Sequence, residues 1–284
     1  MSFAGSASSG FESIKLDPLK CRDGSRPRIL LAEDSPAARV LTGALLKRIG
    51  CNVDAAEHGE EAVNYVKNGD YDLILMDIEM PVMDGVVAAK QIRTMGGNAA
   101  KTPIVALSAF LADTQKSAFW QKHFDIALAK PAGKQQLYAA ISQILKLQPA
   151  PSEQRPDRSP QTTGSCQDIE ENKLQRILLN ICDEDKAMLL ATASFEISKY
   201  SSELAISHHR PNKDGMSNAL HKLCGLAATF AATALNNLVL LLLGDIKNST
   251  EGDLEKRVQI ICECAERTAL ALKEKAKDLP EVSE

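Results

Sequence analysis

Residues 72–85 read DLILMDIEMPVMDG. An unbroken apolar run of strand length stops at a carboxylate, Asp77, and Asp84-Gly85 then supplies a turn and a helix start. A strand that is apolar on both sides of its pleat belongs in the middle of a parallel sheet, covered on both faces. Comparable runs recur on either side: RILLA at 28–32, CNVDAA at 51–56, PIVALS at 103–108 and DIALA at 125–129. Helical patterns lie between them, beginning near Ser35, Glu57, Gly85, Ala112 and Gly133. Ser35-Pro36 joins an N-cap to a proline at the first helical position. Five such units predict an α/β fold, a doubly wound five-stranded parallel sheet with helices on both faces.

In such a sheet ligands bind beyond the C-terminal strand ends. Strand one ends in Glu33-Asp34, strand three in Asp77, strand four in Ser108-Ala109 and strand five in Lys130-Pro131. Three carboxylates at neighbouring strand ends repel one another unless a cation neutralises them, and an all-oxygen donor set suits a hard ion such as Mg²⁺. Lys130 and Ser108 complete a site for an anionic group with several oxygens, such as a phosphoryl.

The segments EDS (33–35), MDIEMPVMDG (76–85), ALSA (106–109) and AKP (129–131) resemble the receiver domain of two-component signalling, particularly receivers attached to hybrid histidine kinases. The resemblance covers residues 27–147 and implies a flavodoxin-like domain. It implies that Asp77 is the phosphoacceptor, with a histidine kinase as donor. Glu33 and Asp34 would organise Mg²⁺, and the backbone carbonyl at Glu79 would add a metal ligand. Ser108 would bond a phosphoryl oxygen, and Lys130 would pair with its charge. Met76, Met80 and Met83 are expected to pack, and Asp84 to start a helix rather than bind a ligand. The family has an aromatic residue three positions before the lysine; Ala127 stands there, which suits a relay stage more than a conformational output. An aspartyl phosphatase on a similar sheet would carry a D-x-D pair after strand one, whereas Glu33 and Asp34 are adjacent.

Outside this block, residues 1–26 are Ser- and Gly-rich and read as a leader or linker. Residues 148–167, which begin QPAPSEQRPDRSPQTTGS, read as a Pro-rich linker; about 20 flexible residues span roughly 25 Å. Beyond it no strand pattern occurs. Amphipathic helices are predicted at 168–180, 183–207, 213–228, 232–243 and 251–277, an all-α helical bundle over 168–278 followed by a tail at 279–284. The uncharged stretch LAATFAATALNNLVLLLL at 226–243 reaches the lower length for a membrane span. Thr229, Thr233, Asn236 and Asn237 nevertheless form a polar stripe along it, so buried core helices are expected and membrane insertion is not.

Within the bundle, Met216, Leu220, Leu223, Ala227 and Phe230 fall on one side of a helix, and His221 lies roughly 140° from the centre of that stripe. His221 is therefore expected to face solvent. Gly225, one turn on, leaves room for a partner to approach. The segment HKLCGLAATF (221–230) resembles the histidine phosphotransfer (HPt) domains, with signature H-x-L-K-G. The resemblance implies that His221 carries a phosphoryl group, exchanged with the aspartate of a receiver, either Asp77 or one on another protein. Cys224 occupies the position of the family's lysine, and Lys222, about 100° around the helix from His221, substitutes in part. Cys224 is read as small filler in preference to a thiol switch. His58, His123, His208 and His209 read as surface residues.

The formal charge over 284 residues is −4, divided as +1 up to residue 165 and −5 beyond it, which excludes a general nucleic-acid binder. Seven cysteines form no C-x-x-C and read as reduced thiols of a cytoplasmic protein. No Gly-rich ATP-binding segment is present in the sequence, so the chain is expected to depend on a separate kinase or to be the C-terminal part of a hybrid one. The reading is a phosphorelay protein. The alternative is a receiver joined to a degenerate HPt bundle that acts as a docking or dimerisation module.

Overall fold

A computed structural model describes residues 16–108, 122–147, 168–179, 181–209, 212–245 and 251–279. Five parallel strands, β1 (Arg28–Ala32), β2 (Asn52–Ala56), β3 (Leu73–Asp77), β4 (Ile104–Ser108) and β5 (Ile126–Ala129), pair in the order β2-β1-β3-β4-β5. Every residue of β3 and β4 is buried, which is why their sequences show no alternation. The strand order reverses direction at β1, so a crevice opens between the ends of β1 and β3. Glu33-Asp34 and Asp77 emerge side by side there.

Helices α1 (Pro36–Arg48), α2 (Gly59–Asn68), α3 (Gly85–Thr94) and α4 (Lys134–Ile144) cover the two faces. One core forms beneath α2 and α3, with Val63, Ile74, Met76 and Ile92 buried; the other forms beneath α1 and α4. As expected, Ser35 caps α1, and Asp84 caps α3 by accepting from the Val87 amide at 2.7 Å. His58, read from sequence as a surface residue without a partner, instead caps α2: its Nδ1 accepts from the Glu61 amide at 3.2 Å. The expected helix from Ala112, together with Ala109 and the linker at 148–167, lies outside the described residues.

Residues 16–26 form no helix or strand, yet they are fastened to the sheet domain. Leu19 is buried, and its amide donates to the Ile49 carbonyl at 2.8 Å. Gly50 makes this approach possible: its φ is +99°, and a Cβ there would lie 2.8 Å from the Leu19 nitrogen.

The second half is helical throughout its described residues: α5 (Glu171–Leu178), α6 (Asp183–His209), α7 (Lys213–Thr229), α8 (Thr233–Asp245) and α9 (Glu251–Lys277). The long helices α6 and α9 pack together, α7 packs on α6, and α8 on α7. Met216, Leu220, Leu223, Ala227 and Phe230 are all buried, as their spacing predicts. Polar residues of the uncharged stretch bond inside the bundle: the Thr229 hydroxyl donates to the Gly225 carbonyl, and Asn236 accepts from Cys224. Among the described residues no helix is long and apolar enough to cross a membrane.

The core beneath α1 continues without interruption into the helical region. There α1 lies against α6. Glu196 of α6 is buried and projects onto the start of α1, where its Oε2 accepts from the Ala37 amide at 2.9 Å and the Ser35 hydroxyl at 3.1 Å. A carboxylate at a helix N-terminus meets unpaired amides and the positive end of the helix dipole. At the other end of α1, Arg48 donates to the Leu179 carbonyl at 2.6 Å.

Because Leu19 fills its site against the α1 core, Leu19→Ala is expected to lower stability by about 2–4 kcal/mol. Urea denaturation followed by circular dichroism measures this; a loss below about 0.5 kcal/mol would show the 16–26 segment to be energetically idle.

Candidate functional site

The crevice between β1 and β3 gathers carboxylate oxygens of Glu33, Asp34 and Asp77 within 4.8 Å of one another. Each arrives there for a local reason. Glu33 and Asp34 follow directly on β1, and Asp77 is the last residue of β3. The loop after Asp77 turns back on itself, with the Gly85 amide donating to the Ile78 carbonyl at 2.9 Å and the Glu79 amide to Asp77 Oδ1 at 3.2 Å. Lys130, just past β5, reaches across to both acids: its Nζ is 2.8 Å from Asp77 Oδ2 and 2.5 Å from Glu33 Oε2. Ser108 closes the wall at the end of β4 and is buried.

The electrostatics follow from burial and crowding. Burial pushes the Glu33 carboxyl up to about 7; Lys130 opposes that rise, and the charge of Asp77 adds to it. Burial also raises Asp34, against the pull of a second cation, Lys222. Burial on its own would lower Lys130, but Asp77 and Glu33 reverse this and hold it firmly charged.

The helical region completes the site. His221 and Lys222 of α7 both point into the crevice. His221 Nδ1 lies 2.9 Å from Glu79 Oε2. Lys222 Nζ donates to Asp34 Oδ1 at 2.6 Å and to the backbone carbonyl of Glu79. A cavity of about 40 Å³ remains, bordered by Asp77, Ser108 and Lys130 on one side and by His221, Gly225 and Thr229 on the other. That is room for a few water-sized groups, and far too little for a nucleotide.

His221 was expected to face solvent, and this is corrected: its side chain is only 15% exposed. The helical arithmetic is right about the bundle, since His221 does point away from the bundle core. The face it points to is covered by the sheet domain. Lys222, expected to assist beside His221, is drawn instead to the acidic crevice. Around Gly225 nothing lies within 4 Å of where a Cβ would be, so no close approach demands a glycine in this arrangement. Cys224 is buried and donates to Asn236 Oδ1 at 3.3 Å; burial first, and then the charge of Glu79, push its thiol up to about 11. Those are the properties of filler, not of a reactive thiolate.

Two participants were not singled out from sequence. Glu196 and Tyr200, which lines the cavity, continue the 4-3-4 spacing of Leu189 and Ala193 on α6. A glutamate within an otherwise apolar stripe was the available signal.

The oxygen donors fit a hard divalent ion. Three carboxylates converge, the Glu79 carbonyl faces the same space, and two ammonium groups are already drawn to these atoms. Each of the three carboxylates is engaged by an ammonium group, Glu33 and Asp77 by Lys130 and Asp34 by Lys222.

Residues 29–142 match the family model for the response regulator receiver domain. The chain is 44% identical over 121 residues to the two-component response regulator ORR41 of Oryza sativa subsp. japonica, an alignment covering 41% of this chain and 93% of that protein. It is 38% identical over 133 residues to the sensor protein GacS of Pseudomonas syringae pv. syringae, covering 45% of this chain and 15% of that one. It is also similar to the solved receiver domain of a sensor histidine kinase from Pseudomonas aeruginosa PAO1, which has a magnesium ion coordinated in its active-site cleft. There the identity is 31%, the TM-score 0.41, and coverage 43% of this chain and 99% of that one. The chain therefore belongs to the response regulator receiver family, whose domains serve two-component phosphorelay systems, and hybrid histidine kinases are among its relatives. It spans only a small fraction of the length of the sensor kinases it matches.

Gly85 fixes the loop that presents Asp77, because a Cβ there would fall 2.0 Å from the Asp77 carbonyl oxygen. Gly85→Ala must displace backbone, with an expected cost of about 2–3 kcal/mol. Chemical denaturation tests this; an unchanged midpoint would mean that the loop yields freely.

Proposed function

We propose that this chain is a two-site phosphorelay protein in which Asp77 accepts a phosphoryl group from a histidine kinase and His221 exchanges it with a receiver aspartate. The observation that carries the reading is that Asp77 and His221 border one small cavity, together with Lys130 and Ser108. The partition is a receiver at 27–147 and an HPt-like bundle at 168–278, joined by the linker at 148–167.

In the first step a carboxylate oxygen of Asp77 attacks the phosphorus of a kinase phosphohistidine. The P–N bond breaks, a P–O bond forms, and the departing imidazole takes up a proton. In the second, a ring nitrogen of His221 attacks the acyl phosphate, and the Asp77 carboxylate leaves with its electron pair. Little covalent work falls to the protein, so positioning and charge dominate. Lys130, already 2.8 Å from Asp77, meets the charge on the transferring group, and Ser108 offers a hydroxyl to one of its oxygens. Glu79 sets a carboxylate oxygen 2.9 Å from Nδ1 of the imidazole. Asp34, Asp77 and the Glu79 carbonyl would hold Mg²⁺, with Glu33 supporting; when bound, the ion supplies further neutralisation of phosphoryl charge. Ala127 at the position of the family's aromatic residue suits a relay stage.

Phosphorylation by a hybrid kinase with ³²P-ATP tests the reading. Wild type is expected to carry both an alkali-labile acyl phosphate and an acid-labile, alkali-stable phosphohistidine. Asp77→Asn should lose both labels, since His221 draws its phosphoryl group from Asp77, and His221→Ala the second only. Complete absence of alkali-stable label, with this or any donor receiver, would leave the helical half as a docking or dimerisation module.

A further inference from the structure

The atoms that would hold a metal ion are already held by an ammonium group. Lys222 Nζ takes Asp34 Oδ1 at 2.6 Å and also the Glu79 carbonyl, two of the three ligands assigned above, and its side chain is only 11% exposed. A Mg²⁺ ion on those two oxygens would sit about 2.0–2.1 Å from each. The nitrogen and the ion would then occupy the same small space with the same sign of charge. They exclude one another.

Lys222 does not arrive alone. It is carried on α7, whose position against the sheet domain is set by the neighbouring helix. There Glu196 accepts from Ala37 and Ser35, the residues that begin α1 immediately after the acidic pair. Moving Lys222 out of the crevice therefore means retracting its side chain or lifting the helical domain away. His221, next in the chain and held by the same Glu79, shares the contact.

We infer that Lys222 is a built-in plug of the receiver's cation site, so that Mg²⁺ binding and docking of the chain's own helical domain are mutually antagonistic. This rests on the metal ligands assigned above, but not on any phosphoryl transfer. Linkage makes the antagonism reciprocal: whatever factor docking takes from Mg²⁺ affinity, Mg²⁺ takes from docking. The free divalent ion then opens the domain pair and uncovers the face of α7 that bears His221. Without the ion, that face is kept on the chain's own receiver and away from others. Lys222 is a positioning residue here, not a catalytic one. The role also accounts for a lysine one place after the histidine, in a chain that has Cys224 where the HPt signature has its own lysine.

The test uses full-length protein without a phosphoryl donor. Mg²⁺ binding is measured by isothermal titration calorimetry for wild type, Lys222→Ala, Lys222→Met and Glu196→Ala. Amide hydrogen exchange over Lys213–Thr229 is followed with and without saturating Mg²⁺. Both Lys222 variants are expected to bind Mg²⁺ on the order of tenfold more tightly than wild type, as when most of the wild-type population is closed to the ion. Glu196→Ala, which leaves Lys222 in place but loosens the docking, should shift affinity in the same direction by a smaller factor. Exchange over α7 should accelerate in wild type when the ion is added, and already be fast without it in the variants. Equal Mg²⁺ affinity in wild type and both Lys222 variants would overturn the plug while leaving the metal site standing. No Mg²⁺ binding by any variant would overturn both. Tighter binding in the Lys222 variants, with α7 protection unmoved by Mg²⁺, would overturn the opening of the domain pair.

Discussion

Three carboxylates forced together at the ends of two adjacent strands are the constraint around which this molecule is built. At an effective dielectric constant near 20, two unit charges 4 Å apart repel by about 4 kcal/mol. Glu33, Asp34 and Asp77 bring oxygens within 4.8 Å of each other, two of the three residues being fully buried. Such a group persists only with cations beside it or with a proton on one member. Lys130 answers from β5 with contacts to Glu33 and Asp77, and Lys222 answers from the far half of the chain with its contact to Asp34. Burial first, and then the charge of Asp77, lift the Glu33 carboxyl to about 7 against the pull of Lys130.

The second cation explains why the docking has a definite register. The apolar core is continuous between α1 and the helical half, but apolar burial is non-directional. It would be satisfied by several sliding arrangements of α6 and α7 over the same surface. The polar contacts are not so tolerant. Glu196 must meet the first amides of α1, and Lys222 must meet Asp34. A shift of one residue along α7 would rotate the lysine about 100° away from its partner. A buried charge left unpaired is costly, whereas a well-placed pair merely breaks even or better. The ion pairs therefore serve to select one arrangement among many that the hydrophobic surface would permit.

The sheet was legible because its signals are local. The run at 73–76 is apolar at every position since β3 is buried on both faces, and Ser35-Pro36 announces α1 by cap chemistry confined to a few residues. The acid crevice was legible as well, because strand ends in this topology converge at a place that strand order alone determines. His221 shows where local reading stops. Periodicity gives the angle of a side chain relative to its own bundle, and that angle was right. It carries no information about a second surface more than 100 residues away in the chain that comes to cover the outward face. Leu19 escaped for a similar reason, since two leucines, Leu16 and Leu19, in a Ser- and Gly-rich stretch sustain no period. Glu196 did leave a trace, a carboxylate in a stripe otherwise apolar, but a partner for it can be named only once α1 and α6 lie together.

The contacts around Glu79 show how the two halves of the site depend on each other. One residue of the receiver loop offers its carboxylate to His221 and its carbonyl to Lys222, so consecutive residues of α7 are read by different atoms of the same partner. The helix turns about 100° between them, which is why a side chain and a backbone group, pointing differently, can serve both. The arrangement brings the imidazole to the cavity that Asp77 borders, while the cation position is taken by a fixed ammonium group. The docked form thus sets the imidazole and the Asp77 carboxylate on one small cavity, and it can do so only while Lys222 keeps its hold on Asp34 and the Glu79 carbonyl.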